Sequence, residues 1–482
     1  MPYSRWLGPG LFDLFVDNRV MSQHKSEFKY IDLFAGCGGL SLGLEQQGGE
    51  LICAVEKSPM AAETFYHNLV TQLEDAHAWT QYLALDSPTQ VKRKLLVSEV
   101  SELLKLEESL GHFSEKGIDL IAGGPPCQGF SLAGKRNPDD ARNVLPWQFL
   151  EVVSKVAPKT VVIENVVGMR HKFAAGDSLS TYDSLALALK ETSVEVGGKT
   201  ESYLVQKVQA NALHYGAAQT RPRLLLIGVR TDVARSKAIT ATDEIWFSNF
   251  LDLVSEIPPL APKPTVFSDQ AATVRDALVT DARSSDSNYM KVLRNSVFWR
   301  IEKKGGSKNI GLRTHNAKSK LRFSLYLLVA QSRLSPILLK DPQDSVQVLR
   351  RDNALEELEN LRYPVKLPGL ALKVASKEAL VLLLNEHKTR KHSQRVVALD
   401  KPAPTIVTAA DDYIHPIEPR VFSVRELARF QGFPEDFEFR AKETTGGLKR
   451  RSEVPQYSQV GNAISPFLGI AIGEMIKEVT CK

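Results

Sequence analysis

A cysteine at a stiff turn is the first feature of the sequence that could do chemistry. Asp119–Ala122 has the pattern of a buried strand end, and it is followed by Gly-Gly-Pro-Pro and then Cys127. Glycine tolerates positive φ and proline fixes its own φ, so this turn is expected to be sharp and stiff. A thiol presented at a strand end of an open α/β sheet can be a nucleophile, whereas a thiol in a core is a small apolar filler. The turn alone leaves both interpretations open.

Two further segments place ionisable groups at predicted strand ends. Glu164 follows the apolar run Thr160–Ile163, so its carboxyl is expected at the sheet edge, partly desolvated and with a raised pKa suited to proton donation. Gln219-x-Arg221-x-Arg223 alternates like a strand, which would put both arginine side chains on one face. They could be solvated charges on an exposed edge, or a fork for carbonyl or phosphate oxygens.

A glycine-rich turn has the spacing of a nucleotide-binding βαβ unit. Phe28–Phe34 is the preceding strand, Gly36 and Gly38 lie in the turn, and Glu56 ends the next strand. Glycines let a ligand approach the backbone, and an acidic strand end can hold ribose hydroxyls. The third glycine of the dinucleotide pattern is missing. With Glu56 so placed we expect an adenosine-containing ligand; Phe34 could stack on its adenine or be a buried strand residue.

An α/β domain would position these residues. The order strand, turn, helix, strand, helix over residues 28–69 predicts a doubly wound parallel sheet. Tyr82–Leu85 is predicted to be a further short strand before Asp86, and residues 90–110 an amphipathic helix. Near residue 232 the alternation of strands and helices is lost, residues 257–264 are proline-rich, and the alternation resumes at about 395. We therefore expect an N-terminal extension (1–26), a catalytic and cofactor-binding domain (27–232), a second module (233–394) and a return to the first domain (395–482).

Composition indicates a globular protein. The chain has 482 residues, 43% hydrophobic and 24% charged, with a net charge of +5, and is long enough for more than one domain. No apolar run approaches the ~18 residues of a membrane helix. Four scattered cysteines without a CxxC pair argue against a disulfide framework or structural zinc, so a cytoplasmic protein without a metal is expected. Met21, just before the first clear strand, is a candidate for the natural start.

Positive charge is concentrated in three places. Ten lysines and arginines lie between Ser287 and Phe323 against one acid, Glu302, and smaller basic clusters occupy residues 387–395 and 449–451. A charge run is usually a solvated face. Three such clusters in one chain nevertheless favour contact with a nucleic-acid backbone.

Taken in order, seven segments resemble the DNA cytosine-5 methyltransferase family. They are Asp32–Leu40, Gly124–Ser131, Glu164–Val166, Gln219-x-Arg-x-Arg223, Ala403–Ile406, Arg425–Pro434 and Gln459–Ala463. The resemblance covers about residues 30–232 and 395–475, and the middle module stands where this family keeps its variable target-recognition domain. It implies a Rossmann-like S-adenosylmethionine-dependent methyltransferase sheet with a second, smaller target-recognition domain.

The resemblance also implies a role for each candidate residue. The Cys127 thiolate would add to carbon 6 of cytosine while Glu164 protonates or hydrogen-bonds ring nitrogen 3; carbon 5 would then attack the methyl group of S-adenosylmethionine, lose its proton and expel Cys127. Arg221 and Arg223 would help hold the flipped cytosine and its backbone. The cofactor pocket would be lined by Phe34, Gly36, Gly38, Glu56, Asp86 and Asn462.

The resemblance implies double-stranded DNA as substrate and a monomeric enzyme, with a companion restriction endonuclease in a bacterial restriction-modification setting. An amino-methylating DNA enzyme would follow its Pro-Pro with an aromatic residue, so Cys127 argues against that class. A dinucleotide oxidoreductase would explain only residues 30–56. Two alternatives stay open: a tRNA-directed relative, and a catalytically silent DNA-binding relative, although the latter would be expected to lack Cys127 or Glu164.

Overall fold

The computed structural model describes residues 26–126, 144–170, 179–251, 256–278, 287–299, 307–409, 411–445, 449 and 452–481. Several predictions fall outside these ranges. They concern the nucleophile Cys127, the candidate start Met21 and five residues of the basic clusters, namely Arg300, Lys303, Lys304, Arg450 and Arg451.

An eight-stranded sheet forms the centre of the fold. Its strands are β1 (Phe28–Leu33), β2 (Gly49–Val55), β3 (Leu95–Leu96), β4 (Leu120–Gly123), β5 (Thr160–Val166), β8 (Tyr203–Asn211), β9 (Pro222–Arg230) and β10 (Ile245–Phe247), while β6 (Val194–Val196) and β7 (Lys199–Glu201) form a separate hairpin. The order across the sheet is β10-β8-β9-β5-β4-β1-β2-β3. Strands β1 to β5 pair in parallel, whereas β9 is antiparallel to both β5 and β8.

The parallel pairing predicted from the start of the chain is present in β1 to β5, and β9 adds one antiparallel strand that the sequence did not indicate. The connection from β8 to β9, residues 212–221, is short, and a parallel pair needs a crossover of about a dozen residues or more. β9 therefore runs back along β8. As a result its first residues, and not its last, lie at the edge where β4 and β5 end, and Arg223 pairs with Val166 in the register.

Helices surround the sheet. In the first part of the chain they are α1 (Gly39–Gln46), α2 (Pro59–Leu69), α3 (Ala76–Leu83), α4 (Ser87–Lys92), α5 (Val100–Lys105), α6 (Glu107–Lys116), α7 (Leu145–Val156), α8 (Thr181–Glu191) and α9 (Thr231–Lys237). Later helices are α10 (Val274–Ala277), α11 (Asn288–Leu293), α12 (Ser296–Trp299), α13 (Ala317–Gln331), α14 (Ser345–Glu356), α15 (Lys377–His387), α16 (Val424–Gln431), α17 (Gln456–Asn462) and α18 (Pro466–Thr480).

Two hydrophobic cores lie on opposite faces of the sheet. Alternate residues of β1 point to different faces, so Tyr30 packs in the core shared with α1, α2 and α18, and Ile31 in the core shared with α5 to α8. The last helix lies directly on the first: a Cβ atom on Gly43 would be 2.4 Å from the Pro466 carbonyl oxygen. The end of the chain is therefore part of the first domain, and the glycine permits that close approach.

The region between residues 82 and 110 differs from its prediction. Tyr82 belongs to helix α3, and residues 90–110 divide into the end of α4, the short strand β3, α5 and the start of α6. Most of the apolar residues that suggested one amphipathic helix, such as Val91 and Val100, are buried in one core from separate elements, but Leu95 packs in the core on the opposite face of the sheet. The periodicity identified residues that are buried, but it wrongly joined them into one helix.

Residues after 233 first pack with the central sheet, and a separate third core begins at Phe323. Strand β10 pairs with β8, and residues of α10, α11 and α12, such as Val274 and Trp299, pack into the first core. A third core holds residues from Phe323 to Val421, contributed by α13, α14, α15 and the short strand β14 (Tyr413–Ile414), which pairs with β13 (Arg395–Val396); β11 (Val365–Lys366) and β12 (Lys373–Val374) form a hairpin beside it. The proline-rich stretch, through Leu260 and Ala261, also packs on the first core.

Across the described ranges, no helix is long and apolar enough to cross a membrane.

Candidate active site

The turn that leads to Cys127 is held against Glu164. Strands β4 and β5 are neighbours, with Gly123 opposite Ile163, so Gly124 lies beside Glu164. A Cβ atom on Gly124 would be only 2.9 Å from Glu164 Oε2, and the Asn165 side-chain amide donates a hydrogen bond to the Pro125 carbonyl oxygen at 2.9 Å. The predicted nucleophile therefore follows, three residues on, a backbone that is already packed against the predicted acid.

Glu164 forms an ion pair with Arg223. The Arg223 Nε atom lies 2.7 Å from Glu164 Oε1, and the two side chains are only 11% and 12% exposed. Burial raises the pKa of Glu164, while the charges of Arg223 and Arg221 lower it. The net direction is upward, as the sequence predicts for a proton donor, because desolvation penalises the carboxylate more than the arginines stabilise it.

Arg221 does not share the surroundings of Arg223. It is 1% exposed, and its two terminal nitrogens donate to backbone carbonyl oxygens, Nη1 to Ile406 at 3.0 Å and Nη2 to Gly461 at 2.7 Å. Its Nε–H has no acceptor among the described residues. The predicted fork for carbonyl oxygens is present, but the oxygens belong to the protein's own return segment.

The glycine turn presents an open edge of the sheet. Gly36 and Gly38 have φ angles of 59° and 96°, and Phe34, with φ 61°, is also left-handed. A Cβ atom on Gly36 would meet nothing within 4 Å. Glu56 closes the turn, because its carboxylate accepts from the Gly36 N–H at 2.8 Å and from the Ser58 N–H at 2.7 Å. Burial raises the pKa of Glu56, and these two hydrogen bonds oppose that rise.

The position of the missing third glycine holds a hydroxyl with its own partner. Ser41, in α1, donates to Asp32 Oδ2 at 2.6 Å, and Asp32 is 1% exposed at the end of β1. Burial raises the pKa of Asp32 to about 7, although the Ser41 hydrogen bond lowers it. Sequence reasoning placed Asp32 inside a motif without giving it a role; its position before a glycine turn was the available signal.

Asp86 is a helix cap and not a strand-end residue. It is exposed, and its carboxylate accepts from the Thr89 N–H at 2.8 Å at the start of α4. The hydrogen bonds at its carboxylate lower its pKa. The strand next to β2 is β3, where the Leu96 carbonyl accepts from the Glu56 N–H at 3.1 Å. The segment that reaches the Glu56 edge is therefore 97–98, which was missed because a two-residue strand leaves almost no sequence pattern.

Asn462 is brought to the glycine turn by α17. It is the exposed last residue of that helix. Gln459, one turn earlier, accepts a hydrogen bond from Thr64 of α2 at 2.7 Å, and a Cβ atom on Gly39 would lie 2.2 Å from the Ile464 carbonyl oxygen. These contacts on both sides of Asn462 place it beside the loop that carries Gly36 and Gly38.

Much of the basic cluster at 387–395 is already paired. Lys388 and Arg390 form ion pairs with Asp341, and Lys391 forms one with Asp411. The guanidinium of Arg395 lies 5.5 Å from the centre of the Tyr413 ring. These groups are at least partly satisfied within the second module, so fewer of them than the sequence count suggests are free for a phosphate backbone.

The fold is an α/β sheet that carries an open glycine turn at the end of β1 and a buried glutamate–arginine pair on β5 and β9. A family model described as C-5 cytosine-specific DNA methylase matches residues 28–478. The chain belongs to this family: it is a DNA cytosine-5 methyltransferase, and it requires a methyl donor and DNA. The predictions of the family, of the fold class and of the enzymatic activity are confirmed.

Individual proteins are similar along nearly the whole chain. Type II methyltransferase M.DdeI of Desulfomicrobium norvegicum is 27% identical over 449 residues, covering 92% of this chain and 88% of that protein. Type II methyltransferase M.AgeI of Thalassovita gelatinovora is 26% identical over 476 residues, covering 93% and 99%. A solved structure of a prophage-encoded E. coli protein covers 94% of this chain and 100% of its own at 23% identity, with a TM-score of 0.49.

Proposed function

We propose that this enzyme uses Cys127 as a covalent nucleophile to methylate carbon 5 of a cytosine flipped out of a specific duplex sequence. The observation that supports the proposal is that the carboxyl of Glu164, whose pKa is raised, packs against Gly124, three residues before Cys127 in the sequence. Carbon 5 of cytosine is a poor nucleophile, and adding a thiolate to carbon 6 while an acid serves ring nitrogen 3 makes it enamine-like.

Glu164 and Arg223 would have different roles in the reaction. Glu164 Oε1 is held by Arg223, while Oε2 faces Gly124 and would be the atom that meets ring nitrogen 3. The Arg223 guanidinium would fix the orientation of the carboxyl and help hold the flipped cytosine in the pocket. Loss of the carbon-5 proton and expulsion of Cys127 would complete the turnover.

The open edge beside Gly36 fits S-adenosylmethionine. The residues available for binding are a glycine turn with space for a ligand, a strand-end carboxylate on Glu56 and the exposed amide of Asn462. This combination suits an adenosine and its ribose. When bound, S-adenosylmethionine supplies an electrophilic methyl group. We propose that Phe34, Gly36, Gly38, Glu56 and Asn462 hold it, with residues 97–98 in the place first given to Asp86.

The setting is proposed from the relatives. Both similar curated proteins are named type II methyltransferases, and we infer a cytoplasmic, monomeric enzyme paired with a restriction endonuclease of the same specificity. The second module, whose core lies between Phe323 and Val421, would read the target sequence from the DNA grooves. A gene for an endonuclease next to this one would support the pairing.

Bisulfite sequencing tests the proposal. DNA from cells expressing the protein should show cytosines protected at one recurring sequence, and DNA from cells expressing Cys127→Ser should show none. RNA from the same cells is sequenced in parallel. Protection in tRNA and not in DNA would overturn the DNA assignment in favour of the tRNA-directed alternative.

A further inference from the structure

Arg221 is a buried cation whose strongest contacts are neutral. Its two terminal nitrogens donate hydrogen bonds to the Ile406 and Gly461 carbonyl oxygens, and among the described residues it makes no ion pair. Burying a guanidinium without a carboxylate is costly, so the position demands a specific reason for a charged fork in place of an apolar side chain. The backbone segments that carry the two carbonyl groups supply that reason.

Both carbonyls belong to the return segment, residues 395–482, which carries Asn462 of the proposed donor pocket. Gly461 immediately precedes Asn462, and a Cβ atom on Gly461 would lie 2.6 Å from the backbone carbon of Val407, so these two strips of backbone are packed face to face. The Arg221 fork bonds one carbonyl on each strip. It thereby fixes the position of the backbone that presents Asn462.

The segment 219–223, which carries Arg221, also contacts the acid Glu164. Arg223 is two residues on and bonds Glu164 at 2.7 Å, and Gln219, two residues before, accepts from the Ile406 N–H at 3.0 Å. A five-residue strip of backbone thus connects the base side of the site with its cofactor side. Among the described residues, the charged groups that act on Glu164 are Arg223 and Arg221, both on this strip.

We propose that Arg221 is a positioning residue: it locks the Asn462 backbone to the Glu164–Arg223 pair, so that the donor pocket and the acid are held in one geometry. This rests on the proposed function of both sites. It reassigns Arg221 from the flipped cytosine, since its two terminal nitrogens are already occupied by the protein.

The test uses two variants and a matched control. Arg221→Lys keeps the charge and loses the fork, and Arg221→Gln loses both. Arg425→Lys is the control, because Arg425 is also fully buried and also donates to backbone carbonyls, those of Lys308, Pro434 and Phe437, away from Glu164. All rates are divided by the number of active sites titrated with a duplex that contains 5-fluorocytosine, which corrects for any loss of folded protein.

The expected results differ between the variants. The rate is expected to fall at alkaline pH as Glu164 loses its proton. Arg221→Lys should raise KM for S-adenosylmethionine at least fivefold and leave this alkaline limb of the pH–rate profile unmoved. Arg221→Gln should raise KM similarly and move that limb to higher pH, because a positive charge near Glu164 is gone. Arg425→Lys should lower the Tm and leave both KM and the limb unchanged. If Arg221→Gln does not fold, the KM of Arg221→Lys decides alone.

Two outcomes would overturn the inference. Arg221 variants that behave like Arg425→Lys would make Arg221 merely structural, and variants that raise only KM for DNA would make it a base contact. Failure of the proposed function is distinct from both, since the unchanged enzyme would then transfer no methyl group to DNA in the same assay.

Discussion

The Glu164 carboxyl and the Arg223 guanidinium meet at 2.7 Å in a nearly buried pair, yet the pKa of Glu164 is raised. An ion pair alone would lower it. The direction is set by burial, which disfavours the carboxylate more than Arg223 and Arg221 favour it. A carboxyl that is oriented by an arginine and still holds its proton above the ordinary range for glutamate is suited to donate a hydrogen bond to a ring nitrogen.

This balance predicts the pH dependence of turnover. Because the protonated form of Glu164 is the useful one and its pKa is raised, kcat should fall as the pH rises through that pKa. Glu164→Gln cannot titrate, so its profile should lose the alkaline limb while kcat drops by about 10²–10⁴, the usual contribution of an acid–base group. The measurement is kcat against pH for both proteins; an identical alkaline limb in Glu164→Gln would assign that limb to another group.

Gly124→Ala should disable the enzyme without unfolding it. The added methyl group would lie 2.9 Å from Glu164 Oε2 and must push the carboxyl aside. We expect kcat to fall at least tenfold while the Kd for S-adenosylmethionine stays within twofold of the unchanged protein. Gly111→Ala is the control, because a Cβ atom there meets nothing within 4 Å, and alanine in a helix is favoured over glycine by about 1 kcal/mol. Equal kcat in both variants would contradict the packing described at Gly124.

Glu56 and Asp86 should separate in a binding assay. Glu56→Gln alters a group that closes the Gly36 turn and faces the proposed ribose, so Kd for S-adenosylmethionine should rise at least tenfold in calorimetry. Asp86→Ala removes only the α4 cap, so a small drop in Tm with an unchanged Kd is expected. A tenfold weaker Kd in Asp86→Ala would restore Asp86 to the donor pocket.

Asp32 should make stability pH-dependent. Its pKa is about 7 in the folded protein and near 3.9 when unfolded, so its protonated form is favoured by folding and that stabilisation is lost as the pH rises toward and through 7. Asp32→Asn removes the penalty. Relative to the unchanged protein, its free energy of unfolding should therefore improve by about 2.6 kcal/mol between pH 5 and pH 8, at ~1.4 kcal/mol per pKa unit, because only the part of the shift above pH 5 titrates in that window. Urea unfolding at both pH values measures this, and a constant difference would show that Asp32 stays ionised.

The sequence was sufficient where a residue's position follows from its own strand. Glu164 after an apolar run and Glu56 after a glycine turn were predicted at strand ends and lie there, since the ends of parallel strands meet at one edge. It was insufficient where partners come from distant segments. The contacts of Arg221 with residues 406 and 461, and the ion pairs that occupy the cluster at 387–395, depend on packing that no local pattern encodes.

Weak local signals account for the remaining differences. A two-residue strand such as β3 cannot show alternation, so Asp86 was assigned to the wrong element. The start of the second module was predicted at residue 233 because loss of periodicity looks the same in a domain boundary and in a segment that covers a core. Only the packing of Val274 and Trp299 in the first core distinguishes them.

The most direct test of the central claim is covalent trapping. A duplex with 5-fluorocytosine at the target position, mixed with enzyme and S-adenosylmethionine, should give a denaturation-resistant complex, because fluorine at carbon 5 blocks the proton loss that frees the thiol. Mass spectrometry of the digested complex should locate the adduct on Cys127, and Cys127→Ser should form none. Tight binding of that duplex without any adduct, or an adduct on another residue, would contradict the account.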